Sequence, residues 1–191
     1  MARVKQVKAA KDYPKFGIKK GDLHYYTKIK TGPRSSREIR QIEPIKPQQL
    51  TSSAFKSALL DWEETKGSVS SPEDVSGLAS TIREMGEEEQ SKLDNMPEGL
   101  QQGNTGELLR ERAEACETAA DELDTIASEW EDALNEHTEA TEKYEAYQDY
   151  LRRKDEGDLS EDEEEPEECE EPEEFDQSEY EDRVSDVEVS A

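Results

Sequence analysis

A chain of 191 residues carrying 50 Asp and Glu, 24 Lys and Arg and a net charge of −26 has room for one or two small domains. Leu, Ile, Val and Phe number 30, about 16% of the chain, a level at which high net charge opposes compaction, so a large core is excluded. The charge is unevenly distributed: 15 Lys/Arg against 7 Asp/Glu over residues 1–66, 8 against 23 over 67–154, and 1 against 20 over 155–191. The acidic total therefore hides a basic segment of +8 that could meet phosphate, followed by segments of −15 and −19. Two cysteines, Cys116 and Cys169, make neither a disulfide framework nor a metal-ligand spacing, which points to a reducing compartment. The opening residues have no signal-peptide pattern, and no run of about 18 apolar residues occurs, so the expected setting is soluble and cytoplasmic, with no membrane partner.

Residues 1–22 are basic, thinly apolar and interrupted by Pro14 and Gly17, and read as an irregular arm. From Leu23 to Lys30 the sequence alternates, with Leu23, Tyr25, Thr27 and Ile29 on one face and His24, Tyr26, Lys28 and Lys30 on the other. Thr31-Gly32-Pro33-Arg34 supplies a turn before a second strand near Arg37–Ile42, giving a β-hairpin. Two strands are marginal alone, so the hairpin needs the following helix to pack on. That helix is expected after the Pro44 and Pro47 connector, capped by Thr51 or Ser52, with Phe55, Ala58, Leu59 and Trp62 on one face; the unit is residues 23–66.

Beyond the Gly67–Ser70 linker, Ser71-Pro72-Glu73-Asp74 combines an N-cap, a proline at the first helical position and acids in the first turn. It starts a helix through Val75, Leu78, Ile82 and Met85 that runs to about Asp94, and Asn95–Gly106 reads as a loop. From Glu107 to Lys154 there is neither proline nor glycine, which predicts one long helix. Leu109, Ala113, Cys116, Ala120, Leu123, Ala127, Trp130 and Leu134 follow alternating steps of four and three, a coiled-coil seam that continues through the more polar His137, Thr141, Tyr144, Gln148 and Leu151. Packing should be firm to Leu134 and loose beyond, against residues 72–94 folded back or against a second copy in a homodimer. Residues 67–154 form this helical unit. Residues 155–191 collapse into Glu, Asp, Ser and Pro and read as a disordered acidic tail. The fold class is thus mainly α, with an N-terminal β-hairpin, two shorter helices, one long coiled-coil-like helix and that tail.

A catalytic reading needs a nucleophile with its base, a metal cluster or a phosphate loop, and the sequence has no such motif, so the chain reads as non-enzymatic and without cofactors. His24 lacks a second histidine or cysteine nearby and His137 lies on the seam, so neither supports a metal site. The informative segment is the basic head. Lys19, Lys20, Lys28, Lys30, Arg34, Arg37 and Arg40 cluster around a hairpin that also displays His24, Tyr25 and Tyr26, and cations interleaved with aromatics suit a nucleic-acid surface.

The run Gly17-Ile18-Lys19-Lys20-Gly21-Asp22, then Tyr25-Tyr26 and Lys28, followed by Gln49-Leu50-Thr51-Ser52-Ser53-Ala54-Phe55, resembles a group of uncharacterised phage and bacterial (prophage) proteins. The similarity extends to Leu93–Glu98 and Gly106–Arg112. The resemblance implies a phage-related setting and a hairpin followed by helices, with no activity to inherit. Where that group carries knuckle cysteines this chain has Tyr13, Pro14, Lys15 and Phe16, so no metal site is carried over. Two functions compete. One is an accessory factor whose basic head contacts nucleic acid while the acidic tail regulates it. The other is a protein-protein module, an assembly or host-takeover factor and partial nucleic-acid mimic, whose long acidic helix and tail engage a basic protein.

Overall fold

The N-terminal strands and the helices that follow are laid out in a computed structural model that describes residues 3–157 and 166–190. In chain order the elements are β1 (Lys5–Lys8), β2 (Leu23–Lys30), β3 (Ser36–Gln41), α1 (Ala54–Lys66), α2 (Pro72–Asp94), α3 (Glu98–Gln101), α4 (Asn104–Glu156) and α5 (Ser178–Asp186), with 3₁₀ turns at Pro14–Phe16 and Pro47–Leu50. The molecule is mainly helical, with an N-terminal antiparallel sheet and one long helix, as the sequence indicates. It divides into two compact units, Met1–Lys66 and Gly67–Ala191. Among the described residues no helix is long and apolar enough to cross a membrane.

In the first unit the sheet has three strands in the order β1-β2-β3, which corrects the irregular arm expected for residues 1–22. Lys5 pairs with Tyr26 and Lys8 with Leu23, while Tyr26 pairs with Arg40 and Lys30 with Ser36 on the other side. A two-stranded ribbon gains little in water; a third strand satisfies the free edge of β2, and four residues of weak propensity suffice for that. Between β1 and β2 the chain closes on itself through hydrogen bonds. Tyr13 and Ile18 exchange backbone bonds at 2.7 and 3.3 Å, and Ala9 bonds Asp22 and Gly21 at 2.8 and 2.9 Å. The turns at Gly17 and Gly21 have φ of 68° and 98°, a region that admits glycine without steric cost. Ile18, at 1% exposure, pins this loop to the core.

Thr27 and Ile29 are buried as the alternation requires, whereas Leu23 at the end of the same row is exposed and His24 on the opposite row is buried. Both faces of β2 are therefore covered in part. The connector before α1 is tied to β3: the Arg37 guanidinium donates to the Gln49 carbonyl at 2.9 Å, and Gln41 donates to the Pro44 carbonyl at 2.9 Å and to the Gln49 side chain at 3.2 Å. Helix α1 is capped by Ser53, whose hydroxyl accepts from the Lys56 amide at 3.3 Å, one and two residues later than the expected Ser52 and Thr51. The Thr51 hydroxyl instead accepts from the Ser53 amide, which holds the entry turn. Phe55 and Trp62 are buried and Ala58 and Leu59 half-buried on the expected face.

In the second unit α2 begins as the sequence predicts. Ser71 accepts from the Asp74 amide at 3.2 Å, and the Asp74 carboxylate accepts from the Ser70 amide at 3.0 Å. Val75, Leu78, Ala79 and Ile82 face inward, and burying each large aliphatic side chain contributes roughly 1.5–3 kcal/mol. The seam of α4 is buried at Leu109, Cys116, Ala120, Leu123, Ala127 and Trp130 and half-buried at Ala113 and Leu134. Ala119 and Ile126 widen it beyond a strict heptad stripe. Its partner is α2, antiparallel: Arg83 bonds Asp124 at 2.7 Å, while Glu89, six residues later, bonds Arg112 at 3.1 Å. Gly86 permits the approach, since a Cβ there would lie 2.9 Å from Cys116 Cβ. Carried along that register, the start of α2 falls near Trp130, and α4 runs on beyond the end of its α2 partner.

The loop expected over Asn95–Gly106 contains the short helix α3, and α4 starts at Asn104, three residues before Glu107. Gly106 does not break that helix; it lies within its first turn because a Cβ would stand 2.1 Å from the Gln101 carbonyl oxygen. In the acidic tail, residues 158–165 and Ala191 lie outside the described residues, and the remainder departs from the expected disorder. Ser178–Asp186 forms α5, with Val184 and the following Val187 buried and Tyr180 stacked on Trp130. Four apolar residues, Phe175, Tyr180, Val184 and Val187, supply what the average composition hides.

Candidate nucleic-acid interface

The residues expected to contact nucleic acid divide into two sets. Tyr26 and Arg40 are directly paired across β2 and β3, and Lys5 pairs with Tyr26 from β1, so the three share one face of the sheet. On that face the Arg40 guanidinium lies between two rings, 4.1 Å from the Tyr13 centroid and 4.3 Å from the Tyr26 centroid. Its Nη1 is 3.0 Å from His24 Nε2, and its Nε donates to the Glu38 carboxylate. A guanidinium only donates, so His24 Nε2 is the acceptor in this contact. His24 is 1% exposed and its ring is 5.9 Å from Tyr13. The Arg40 side chain retains 14% exposure. His24, Tyr26 and Arg40 are thus parts of an internal stack that closes the loop over the sheet, and they are poorly placed to receive a base. Tyr13 completes the stack; its spacing from β2 gave no signal in the sequence, because the loop geometry brings it there.

Arg37 is also engaged through the Gln49 carbonyl, and Tyr25 is half-buried on the opposite face, paired with Gln41 and Gln6. The remaining cations, Lys19, Lys20, Lys28, Lys30 and Arg34, are exposed. Lys19 and Lys20 sit between the two left-handed glycines, where Asp22 accepts from the Lys19 amide at 2.8 Å and Asp12 from the Lys20 amide at 2.6 Å. Those carboxylates fix the backbone, so that the loop presents both lysines in one conformation. Lys28 and Lys30 extend the row that carries Tyr26, with Glu38 and Ser36 across from them, and exposed Lys5 stands on the same face.

A polar cleft behind β3 is a feature that sequence reading missed. Arg37, Lys46, Gln48, Ser52, Ser53 and Asp61 line it beside the start of α1. Lys46 pairs with Glu64 at 2.7 Å, an exposed contact worth little, and that hydrogen bond holds the Glu64 carboxyl below its ordinary range and raises Lys46. Gln48 donates to Glu64 at 2.6 Å, while its Oε1 is buried without a hydrogen-bond partner among the described residues. Among the described residues, no group of three or more His, Cys, Asp or Glu side chains is arranged to hold a metal ion.

No protein-family model matches the chain, and no curated protein and no solved structure matches it either.

Proposed function

We propose that the chain is a non-enzymatic accessory protein, in a phage-related setting in the host-cell cytoplasm, whose basic head contacts nucleic-acid phosphates. The observation that carries this reading is the exposure of Lys19, Lys20, Lys28, Lys30 and Arg34 in a unit whose Tyr13 and Tyr26 rings are taken up by Arg40. Exposed lysines neutralise phosphates without reading sequence, whereas base recognition would need rings or bidentate side chains free to meet a base. The expected mode is sequence-tolerant and salt-dependent. Five phosphate contacts give log K against log salt a slope of about −4.5 on duplex DNA. The acidic C-terminal segment regulates the contact by opposing it, most strongly at low ionic strength, where screening extends to ~30 Å.

Fluorescence anisotropy with a short duplex and a short single strand over a salt series tests this. Lys28→Ala with Lys30→Ala should weaken binding and reduce the slope by about 2, and deletion of residues 158–191 should tighten binding at low salt. Binding that ignores salt, or is unchanged by the two lysine substitutions, would discard the reading.

A second reading, a protein-protein module for assembly or host takeover, is supported by α4, which turns its seam to α2 and its acids outward. Residues 107–150 hold 15 acids and 3 bases, a net of 12 charges over roughly 66 Å, against one charge per ~1.7 Å of duplex axis. That density is too dilute for close nucleic-acid mimicry and suits a basic protein partner.

A further inference from the structure

We propose that the face of α4 around Trp130, which the segment Phe175–Val187 covers, is a docking surface for a basic amphipathic helix of another protein, with that segment as its weak internal occupant. The proposal rests on the second reading above, and adds where the partner sits and what it must carry. The segment is seated by rings. Tyr180 stacks on Trp130 with centroids 5.4 Å apart and planes within 11°, and Phe175 stacks on Tyr180 at 6.2 Å. His137 meets Phe175 edge-on at 5.7 Å, and its Nε2 is 2.8 Å from the Glu173 carbonyl oxygen, to which it donates. Val184 and Val187 are fully buried.

Two observations favour an occupant of different charge. Residues 173–188 contain 8 acids and one base, Arg183, and residues 121–142 of α4 contain 9 acids and no Lys or Arg, with Asp121 and Asp124 paired to Arg83 of α2. Closure thus brings two like-charged surfaces together, and Arg183 answers with a single bond to Glu129 at 2.6 Å. Repulsion of this kind is what a competing ligand can exploit. The second observation is Trp130 itself, 1% exposed, whose Nε1 has no hydrogen-bond acceptor among the described residues. A buried N–H left unpaired is a cost that the present occupant does not relieve. A helix with an aromatic and two aliphatic anchors at the spacing of α5, flanked by Lys or Arg, would keep the stack and pair with Glu129 and its acidic neighbours. It could also bring an acceptor to the indole. Groove recognition by an amphipathic helix works through such anchors.

The probe is a labelled synthetic peptide with the sequence of residues 173–190 in which all eight carboxylate side chains are replaced by lysine. It is titrated into the full chain and into the full chain carrying Val184→Asp and Val187→Asp, which releases the segment. The peptide should bind the intact chain and bind the variant about tenfold more tightly, because the competent face is no longer shared. A second peptide with the same lysines, but with serine at the positions of Phe175, Tyr180, Val184 and Val187, should bind at least about tenfold more weakly than the first. Equal binding of the two peptides leaves the acidic-helix reading standing and removes the docking face. If neither binds, both fall. Equal affinity of the first peptide for intact chain and variant overturns the segment as occupant. Tyr180→Ala provides a milder release should the double variant lose helical signal, and the same order of affinities is expected of it.

Discussion

Arg40 illustrates how a residue of suitable type can be absorbed by its surroundings. Two rings at 4.1 and 4.3 Å and the His24 nitrogen at 3.0 Å together engage the planar guanidinium. Lysine offers neither plane nor fork, so Arg40→Lys should fail to restore what Arg40→Ala loses. The loss should be about 2 kcal/mol or more, from the cation-π contacts and the buried His24 acceptor together. Thermal unfolding followed by Trp62 fluorescence, in a chain carrying Trp130→Phe so that Trp62 is the one indole, measures it. Lys28→Ala should leave that transition in place while weakening nucleic-acid binding, which separates a structural cation from a binding one.

Residue-scale packing also decides the chemistry of Cys116. It is fully buried, and desolvation pushes its thiol up to about 11, with Glu89 adding to the rise and Arg112 opposing it. At pH 8 a thiol reagent should therefore modify Cys169 promptly and Cys116 at least about a hundredfold more slowly, until the chain is unfolded. Cys116 also faces Gly86, where a Cβ would lie 2.9 Å from its own Cβ and 3.2 Å from the Ala113 carbonyl. In Gly86→Ala, better helix propensity contributes ~1 kcal/mol and overpacking costs about 1–3, so a net loss of about 1 kcal/mol is expected in denaturant titration.

Among the elements, α2 depends most visibly on its first turn. The Asp74 carboxyl is held below its ordinary value, first by the Ser70 amide, then by the hydroxyls of Ser70 and Ser71. A carboxyl depressed in the folded state stabilises above its unfolded pKa, and that stabilisation is lost as pH falls through the folded value. The melting advantage of the native chain over Asp74→Asn should thus be full near pH 7 and shrink below about pH 4. Monitoring helical signal over that range checks both the sign and the window. The strand β1 and helix α5 make the complementary point. Neither has the propensity or length to stand alone, and each is held by what it meets: the free edge of β2 and the Trp130 turn of α4.

For the whole molecule, the open question left by a heptad seam is whether its partner comes from the same chain. Here α2 covers Leu109 to Ala127 with an antiparallel crossing registered by Arg83 with Asp124 and Glu89 with Arg112. A second copy is not required to bury that surface, so light scattering should report a monomer near 21.7 kDa. A stable dimer would mean that α4 beyond Leu134 has found a partner of its own. A monomer also leaves the acidic helices at their single-chain charge density, which agrees with a basic protein partner better than with nucleic-acid mimicry.

By itself the sequence determined the mainly helical class, the cap at Ser71 with Pro72, the end of α2 at Asp94, and an apolar seam that is buried from Leu109 as far as Trp130 and half-buried at Leu134. Each of these is a local matter: a proline, a hydroxyl, or an apolar period that any partner would have to respect. The tertiary structure alone decided which helix fills the seam, that residues 5–8 complete the sheet, that Arg40 and His24 turn inward onto Tyr13, and that an acidic segment carries a folded clasp. Those outcomes depend on groups far apart in the chain. A composition average or a short period cannot register them, because one stacked ring or one paired edge outweighs the local preference of the residues around it.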